Sequence, residues 1–372
     1  MRERTPLLYT LHTGELYGME RMALATAWGL RDEFEPVIFT PPGPAVSKAR
    51  NLGFEVIETA DLRAFSVQLS SFLSRHKRLA FFSTTTVHSL VFSAMNLVYR
   101  RRAAHIHMVH GFNENGGGVG RRRLLNHLPV TIVAVSGFAR QQLVLHGVRD
   151  RQIRVIENFL PAERIVTGAR REPFLYPGVR RAAVISRLVP LKRIDLLLTC
   201  LETRPELTSI AFHIYGTGSE GDALKERVAR SGLNVIFEGF RSDVADQLAQ
   251  ADLFVHLCPD EAFGIVVLEA MAAGVPVIAP DRGGTGVVID DGVTGLHFAA
   301  NDAASLGVVL AAICQAQPDQ LNALVANARV ALEARFSERK RVDEYRSLIW
   351  ASLGTRSDDQ YRKAPTRYDP AL

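Results

Sequence analysis

The chain alternates short, continuously apolar runs with longer stretches in which apolar residues recur every three to four positions. In the first half, Leu7–Leu11, Pro36–Thr40, Phe54–Glu58, Leu79–Ser83, His105–His110, Thr131–Val135 and Arg154–Asn158 read as strands. Helical periodicity falls between several of them, at Glu20–Leu30, Val87–Tyr99 and Gly137–His146. Apolar runs separated by helices predict parallel strands buried on both faces. The rhythm breaks over Phe159–Pro177, where Pro161, Gly168, Pro173 and Pro177 mark a connection between domains. It resumes with strands at Ala182–Ser186, Ala211–Tyr215, Val235–Glu238, Leu253–Leu257 and Val275–Ala279. Helices are expected at Ile194–Leu201, Glu220–Ser231, Asp243–Ala249 and Gly264–Ala273, and Leu306–Ile313, Leu321–Arg335 and Glu338–Leu353 close the chain. The expected fold is α/β: two Rossmann-like, doubly wound domains, residues 1–165 and 166–350, facing a central cleft, with 351–372 a polar tail. Ligands of such sheets sit beyond the carboxyl ends of the strands, so the chemistry is sought in the loops that follow strands.

Composition narrows the class. With 372 residues, 47% hydrophobic and 22% charged, the chain suits two globular domains and excludes disordered or collagen-like classes. The net charge of +5 is unevenly spread. Residues 1–165 hold 21 Lys/Arg against 13 Asp/Glu, and the remainder 23 against 26. From Leu62 to Arg149 there are 12 basic residues and one acid, Glu114, which predicts an anionic partner for the first half. Arg100–Arg102 follow the amphipathic stretch Ser89–Tyr99, and Arg121–Arg123 form a second cluster. Cations beside apolar faces suit an anionic membrane surface, and an anionic acceptor in solution would use the same charges. Nucleic acid is excluded as a partner, because no aromatics interleave with the clusters. Cys200, Cys258 and Cys314 offer neither a disulfide framework nor a metal cluster, which favours a reducing compartment. No signal peptide pattern opens the chain and no run reaches about 18 apolar residues. The expected location is cytoplasmic, with a peripheral position on the inner membrane face as the extension of that reading.

Three segments could carry chemistry. Gly14 and Gly18 follow the first strand and precede a helix, a turn that either meets a phosphate at the helix start or simply needs glycine. Arg187 and Lys192 follow the first strand of the second half, where a guanidinium fork and an ammonium point charge suit a diphosphate. The chain has many arginines, so a solvated surface remains the alternative. The third segment runs from Pro259 to Gly274. Glu261 lies in a loop and Glu269 in the following helix, with Phe263, Gly264 and Ile265 between them. The helix is otherwise apolar (Ile265, Val266, Val267, Leu268, Ala270, Met271), so an acid there is costly without a partner.

This segment resembles the Glu–seven residues–Glu signature of family 4 glycosyltransferases, which have the GT-B fold. Val235–Asp243, Ala251–Phe254, Ala270–Ile278, Asp291–Gly295, Val133–Gly137 and Arg154–Asn158 resemble the same family. The likeness runs from Leu7 to about Phe298 and is weaker over Thr40–Ala104. The resemblance implies that Arg187 and Lys192 bind the donor diphosphate. It implies that Glu261 holds hydroxyls of the transferred sugar, with backbone contacts from Phe263, Gly264 and Ile265, and that Glu269 holds the ribose. Gly18 would face the phosphate or sugar from the other domain, and His110 would lie beside the donor sugar. Its structural alternative is a strand-end histidine. His105 and His107 are read as packing residues, and Cys258 as no nucleophile. Tyr17–Gly18 replaces the family's frequent Gly-Gly pair, and Cys258–Pro259 its Pro-Ser. No Asp-x-Asp motif is present, so neither a metal nor another cofactor is expected. The implied activity is a retaining transfer from a UDP-sugar or GDP-mannose to a glycan or lipid-linked acceptor in cell-surface polysaccharide or glycolipid synthesis. A nucleotide-sugar epimerase, a phosphorylase and a non-catalytic nucleotide-sugar-binding protein are the alternatives.

Overall fold

The computed structural model describes residues 4–111, 120–161 and 170–354. The first sheet contains β1 (Thr5–Thr10), β2 (Phe34–Thr40), β3 (Glu55–Glu58), β4 (Arg78–Ser83), β5 (Arg102–Val109), β6 (Thr131–Ala134) and β7 (Ile153–Val155). The second contains β8 (Arg181–Ile185), β9 (Ala211–Tyr215), β10 (Val235–Gly239), β11 (Leu253–Val255), β12 (Val277–Pro280) and β13 (Leu296–Phe298). Their orders are β3-β2-β1-β4-β5-β6-β7 and β10-β9-β8-β11-β12-β13. Every strand pair is parallel. The expected architecture of two doubly wound α/β sheets is therefore present.

Continuous burial explains why the strands were readable. Phe81 and Phe82 are neighbours on β4 and point to opposite faces, yet both are fully buried. Strand order reverses between β1 and β4 and between β8 and β11. Loops at these switch points part to opposite sides and leave a crevice at the carboxyl edge. The loops carrying Gly18, Lys192 and Glu261 follow β1, β8 and β11, so all three open at a crevice. Four of the helices begin with a side-chain cap: Asp61, Thr85, Ser136 and Asp302 each accept from a backbone N–H of the first turn.

The closing helix departs from the sequence grouping. The expected helix Glu338–Leu353 falls mostly within the expected second domain, which ends at 350, but the observed helix Glu338–Ser352 packs its apolar face into the first. Val342, Tyr345 and Ile349 join a core with Tyr9, Phe82 and Ile106, and the Tyr345 ring lies 6.0 Å from that of Phe82. Each such side chain contributes about 1.5–3 kcal/mol when fully buried. Gly29 permits the close approach, because a Cβ there would sit 2.4 Å from Val342 Cγ2. Helical turns continue through Ser352, two residues into the expected tail, whose residues 355–372 lie outside the described residues.

The chain thus passes between the sheets twice, and the two passages touch. Leu160 forms a parallel bridge with Ser337. Glu157 accepts from Arg335 at 2.5 Å and from Arg341 at 2.7 Å. Within the predicted connection, Phe159 is buried and Phe174 lies under the Arg171 guanidinium at 3.4 Å. Residues 162–169, which contain the expected boundary at 165/166, lie outside the described residues.

Candidate functional site

Two loops from adjacent strands meet at an ion pair. After β8 the chain turns through a short helical segment, Pro190–Lys192, and Lys192 reaches back over the sheet edge. After β11 it passes His256 and Cys258 to Glu261. Lys192 Nζ donates to Glu261 Oε2 at 2.5 Å, and the two side chains retain 15% and 23% of their exposure. Burial disfavours the Lys192 ammonium, but the Glu261 carboxylate outweighs it and raises Lys192 above its ordinary value. Burial likewise pushes Glu261 up, yet Lys192 and then His256 bring it below the usual carboxylate range. The pair is therefore charged near neutral pH. Arg187 is exposed and close enough to oppose the Lys192 charge, so two cations share this loop.

Glycine geometry positions the rest of the segment. Gly264 has φ +88° and ends the loop just before the helix Ile265–Ala273. A Cβ at Gly264 would lie 2.6 Å from Thr285 Cγ2 and 3.7 Å from Glu261 Cγ. Only glycine suits both the left-handed backbone and this proximity. The Phe263 ring points away into the core, 5.8 Å from the ring of Phe336, which leaves its backbone at the loop.

A cavity of about 530 Å³ lies beside this loop. Gly18 and Arg21 line it from the first domain, Arg241 from the loop after β10, and Ile265 and Glu269 from the helix. The sheets approach closely here: a Cβ on Gly18 would sit 3.6 Å from Ile265 Cδ1. Glu269, the acid in an apolar helix, faces this cavity rather than the core. Glu261 and Lys192 do not line it, and Gly264 is the link between the two parts. A buried hydrogen bond from Ser136 Oγ to Ala262 O, 2.6 Å, ties the end of β6 to the residue after Glu261.

His110 follows β5 and lies near Asn158. Burial lowers His110 to about 4, with Asn158 opposing slightly, and neither ring nitrogen meets hydrogen-bond geometry with a partner. The ring is therefore neutral at pH 7. His105 and His107 are buried as expected, in a network in which Ser89 Oγ meets His107 Nδ1 at 3.0 Å and His105 Nε2 at 3.1 Å.

Three features were missed by the sequence reading. His256 is buried, lowered to about 4 mainly by desolvation, and places Nε2 3.9 Å from Glu261 Oε2. Arg122, counted above within a basic cluster, is buried, and desolvation lowers it to about 10. Its Nη2 reaches Gly111 O at 3.4 Å, while Nε and Nη1 have no partner. The third is a possible donor set for a cation: His256, Cys258 and Glu261 bring ligand atoms within 4.8 Å of one another. Burial lifts the Cys258 thiol to about 11, and Lys192 occupies Glu261. The same protonated thiol fits the reading of Cys258 as no nucleophile. The basic triplet Arg100–Arg102 splays apart. Arg101 Nε donates to Leu73 O at 2.7 Å, and Arg102 reaches toward Gly354. Leu97 and Val98 beside it are 75% and 79% exposed.

Comparison with known proteins gives consistent matches along the chain. Residues 169–331 match the family model described as Glycosyl transferases group 1, and residues 16–164 match Glycosyltransferase Family 4. The D-inositol 3-phosphate glycosyltransferase of Nocardia farcinica is 28% identical over 265 residues, covering 64% of this chain and 57% of that protein. The lipopolysaccharide core biosynthesis mannosyltransferase LpsB of Rhizobium meliloti is 30% identical over 223 residues, covering 55% and 61%. The matches thus span little more than half the length of these curated relatives. Among solved structures, Anabaena Alr3699/HepE in complex with UDP and glucose superposes with a TM-score of 0.77 at 18% identity, covering 94% of this chain and all of that one. Sucrose-phosphate synthase from Thermosynechococcus elongatus gives 0.76 at 16% identity, with the same coverage. At these identities the structures establish the fold.

Proposed function

The chain belongs to glycosyltransferase family 4, and from that premise we propose that it moves a sugar from a nucleotide-sugar donor to a glycan or lipid-linked acceptor in glycan synthesis. The observation that carries this reading is the Lys192–Glu261 pair, which puts a cation and an acid from two switch-point loops at one place. In the proposed mechanism Arg187 and Lys192 grip the donor diphosphate and stabilise the charge that develops as the sugar departs. The bond from the anomeric carbon to the phosphate oxygen breaks, and its electron pair stays on the diphosphate. The acceptor oxygen attacks the same face, and its proton passes to a diphosphate oxygen, so configuration is retained. Glu261 holds sugar hydroxyls, and Glu269 holds the ribose in the cavity it shares with Gly18. Backbone N–H groups at Gly264 and Ile265 meet the phosphate at a helix start. His110, neutral at pH 7, orients the sugar instead of removing the proton. Fixed cations supply the charge stabilisation, and the mechanism needs no metal or other cofactor.

UDP-sugars and GDP-mannose are both proposed as donor classes. The named ligands of Alr3699/HepE and the activity named for LpsB support one class each. Exposed Leu97 and Val98 beside Arg100 support docking on an anionic membrane surface, which would place the enzyme at the inner face. No described helix is long and apolar enough to cross a membrane. The test is release of UDP or GDP from the respective donor by the purified chain, with and without a glycan acceptor. Glu261→Ala and Arg187→Ala should each lower turnover about 100-fold or more while the far-UV spectrum stays unchanged. Near-normal turnover in both variants refutes the site assignment. Donor binding without any sugar transfer or hydrolysis favours a binding protein, and recovery of an altered nucleotide sugar favours an epimerase.

A further inference from the structure

Glu261 Oε2 has two neighbours, and only one holds it. Lys192 Nζ lies at 2.5 Å and His256 Nε2 at 3.9 Å, and that imidazole nitrogen has no partner. His256 is 4% exposed, on the segment that ends β11, with Phe254, Cys258, Lys192 and Glu261 around it. A buried ring nitrogen without a partner is costly, so its retention calls for an explanation. In the reading above, Lys192 must serve the donor diphosphate, and doing so takes it off the carboxylate it now holds. Glu261 would then be a buried charge with one interaction lost.

We propose that His256 is a positioning residue, which takes over Glu261 Oε2 when Lys192 is drawn onto the donor diphosphate and keeps the carboxylate aimed at the transferred sugar. This inference rests on the proposed function and adds a residue to it. The geometry needs only a small movement: a shift of about 1 Å brings 3.9 Å to hydrogen-bond distance. The imidazole is neutral, and in the tautomer that carries its proton on Nε2 it donates to the carboxylate without adding a third cation beside Arg187 and Lys192. The exchange links donor capture to sugar recognition. A nucleoside diphosphate that engages Arg187 and Lys192 already vacates Glu261 Oε2, and a nucleotide sugar needs that carboxylate held in place as well.

The test compares the purified full chain with His256→Leu and His256→Gln, using UDP, UDP-glucose, GDP and GDP-mannose as probes in calorimetry and turnover assays. His256→Leu should weaken binding of the accepted nucleotide sugar about tenfold or more, since the lost bond is to a charged group. Its affinity for the matching nucleoside diphosphate should fall as well, because that ligand also draws Lys192 off Glu261, and KM should rise more than kcat falls. His256→Gln retains an N–H donor and should recover most of the loss. No weakening of either ligand, or a loss that His256→Gln does not recover, overturns the role of His256. A wild-type chain that binds none of the four probes removes the donor reading itself, and this proposal with it.

Discussion

Replacing Lys192 by alanine should cost more stability, relative to wild type at the same pH, as pH rises across a range in which the Lys192–Glu261 contribution of the wild type is nearly constant. The unfolded reference values are about 4.3 for a glutamate and about 10.4 for a lysine. In the folded wild type Glu261 sits below its reference, so its contribution is present above about pH 4.3 and is lost as pH falls further. Lys192 sits above its reference, so its contribution is present below about pH 10.4 and is lost on rising further. Between these limits the pair changes little. Without Lys192, burial dominates Glu261 and raises it above the unfolded value. The folded state then binds more protons than the unfolded state, and stability declines as pH rises through the interval. Breaking a fully buried pair costs about 3–5 kcal/mol. The two side chains keep 15% and 23% of their exposure, which argues for about 2 kcal/mol at pH 8. For domains of this size that is a Tm lower by roughly 4–8 °C. At pH 5 protonated Glu261 recovers most of the loss. Thermal melts followed by circular dichroism at pH 5 and pH 8, each referred to wild type at the same pH, read the difference, with Lys192→Ala/Glu261→Gln as the control that lacks the titrating carboxylate. A single variant that loses as much at pH 5 as at pH 8, or more, refutes the electrostatic account of the pair.

Two further substitutions separate backbone strain from surface docking. Gly264→Ala forces a side chain into φ +88° and against Thr285 Cγ2, and should cost about 1–3 kcal/mol and lower turnover; Gly264→Ala/Thr285→Ser should restore the part due to the clash in a denaturant titration. Leu97→Asp combined with Val98→Asp should abolish flotation with anionic vesicles while leaving the melting curve in place, and flotation equal to wild type would remove this surface from the membrane reading.

The central strands were legible because both their faces are covered, so runs such as Leu79–Ser83 carry no polar alternation to confuse them, whereas the edge strands β3, β7 and β10 keep exposed residues. β13 was not, since its three residues offer too little pattern. The helices Pro44–Asn51 and Leu62–Arg75 lie outside the stretches marked by periodicity. Convergence of Lys192 and Glu261 followed from placing each after a strand in a doubly wound sheet. Their direct contact did not, because a distance across 69 residues has no local signature. His256 was invisible for the opposite reason: one polar residue at the end of an apolar strand reads as packing. Arg122 was concealed by its neighbours, since a run of three arginines does not reveal which one turns inward. The destination of Glu338–Ser352 was equally hidden, because an amphipathic stripe states that a face must be covered but not by which sheet.

The touching passages at Leu160 and Ser337, clamped by Glu157 between Arg335 and Arg341, have a mechanical consequence. Two links lying side by side brace the halves against sliding and twisting better than a single crossing would. The buried seam that unites Ala139 and Leu143 with Phe263 and Met271 adds a third tie away from them, so the rims of the crevice are held in fixed register.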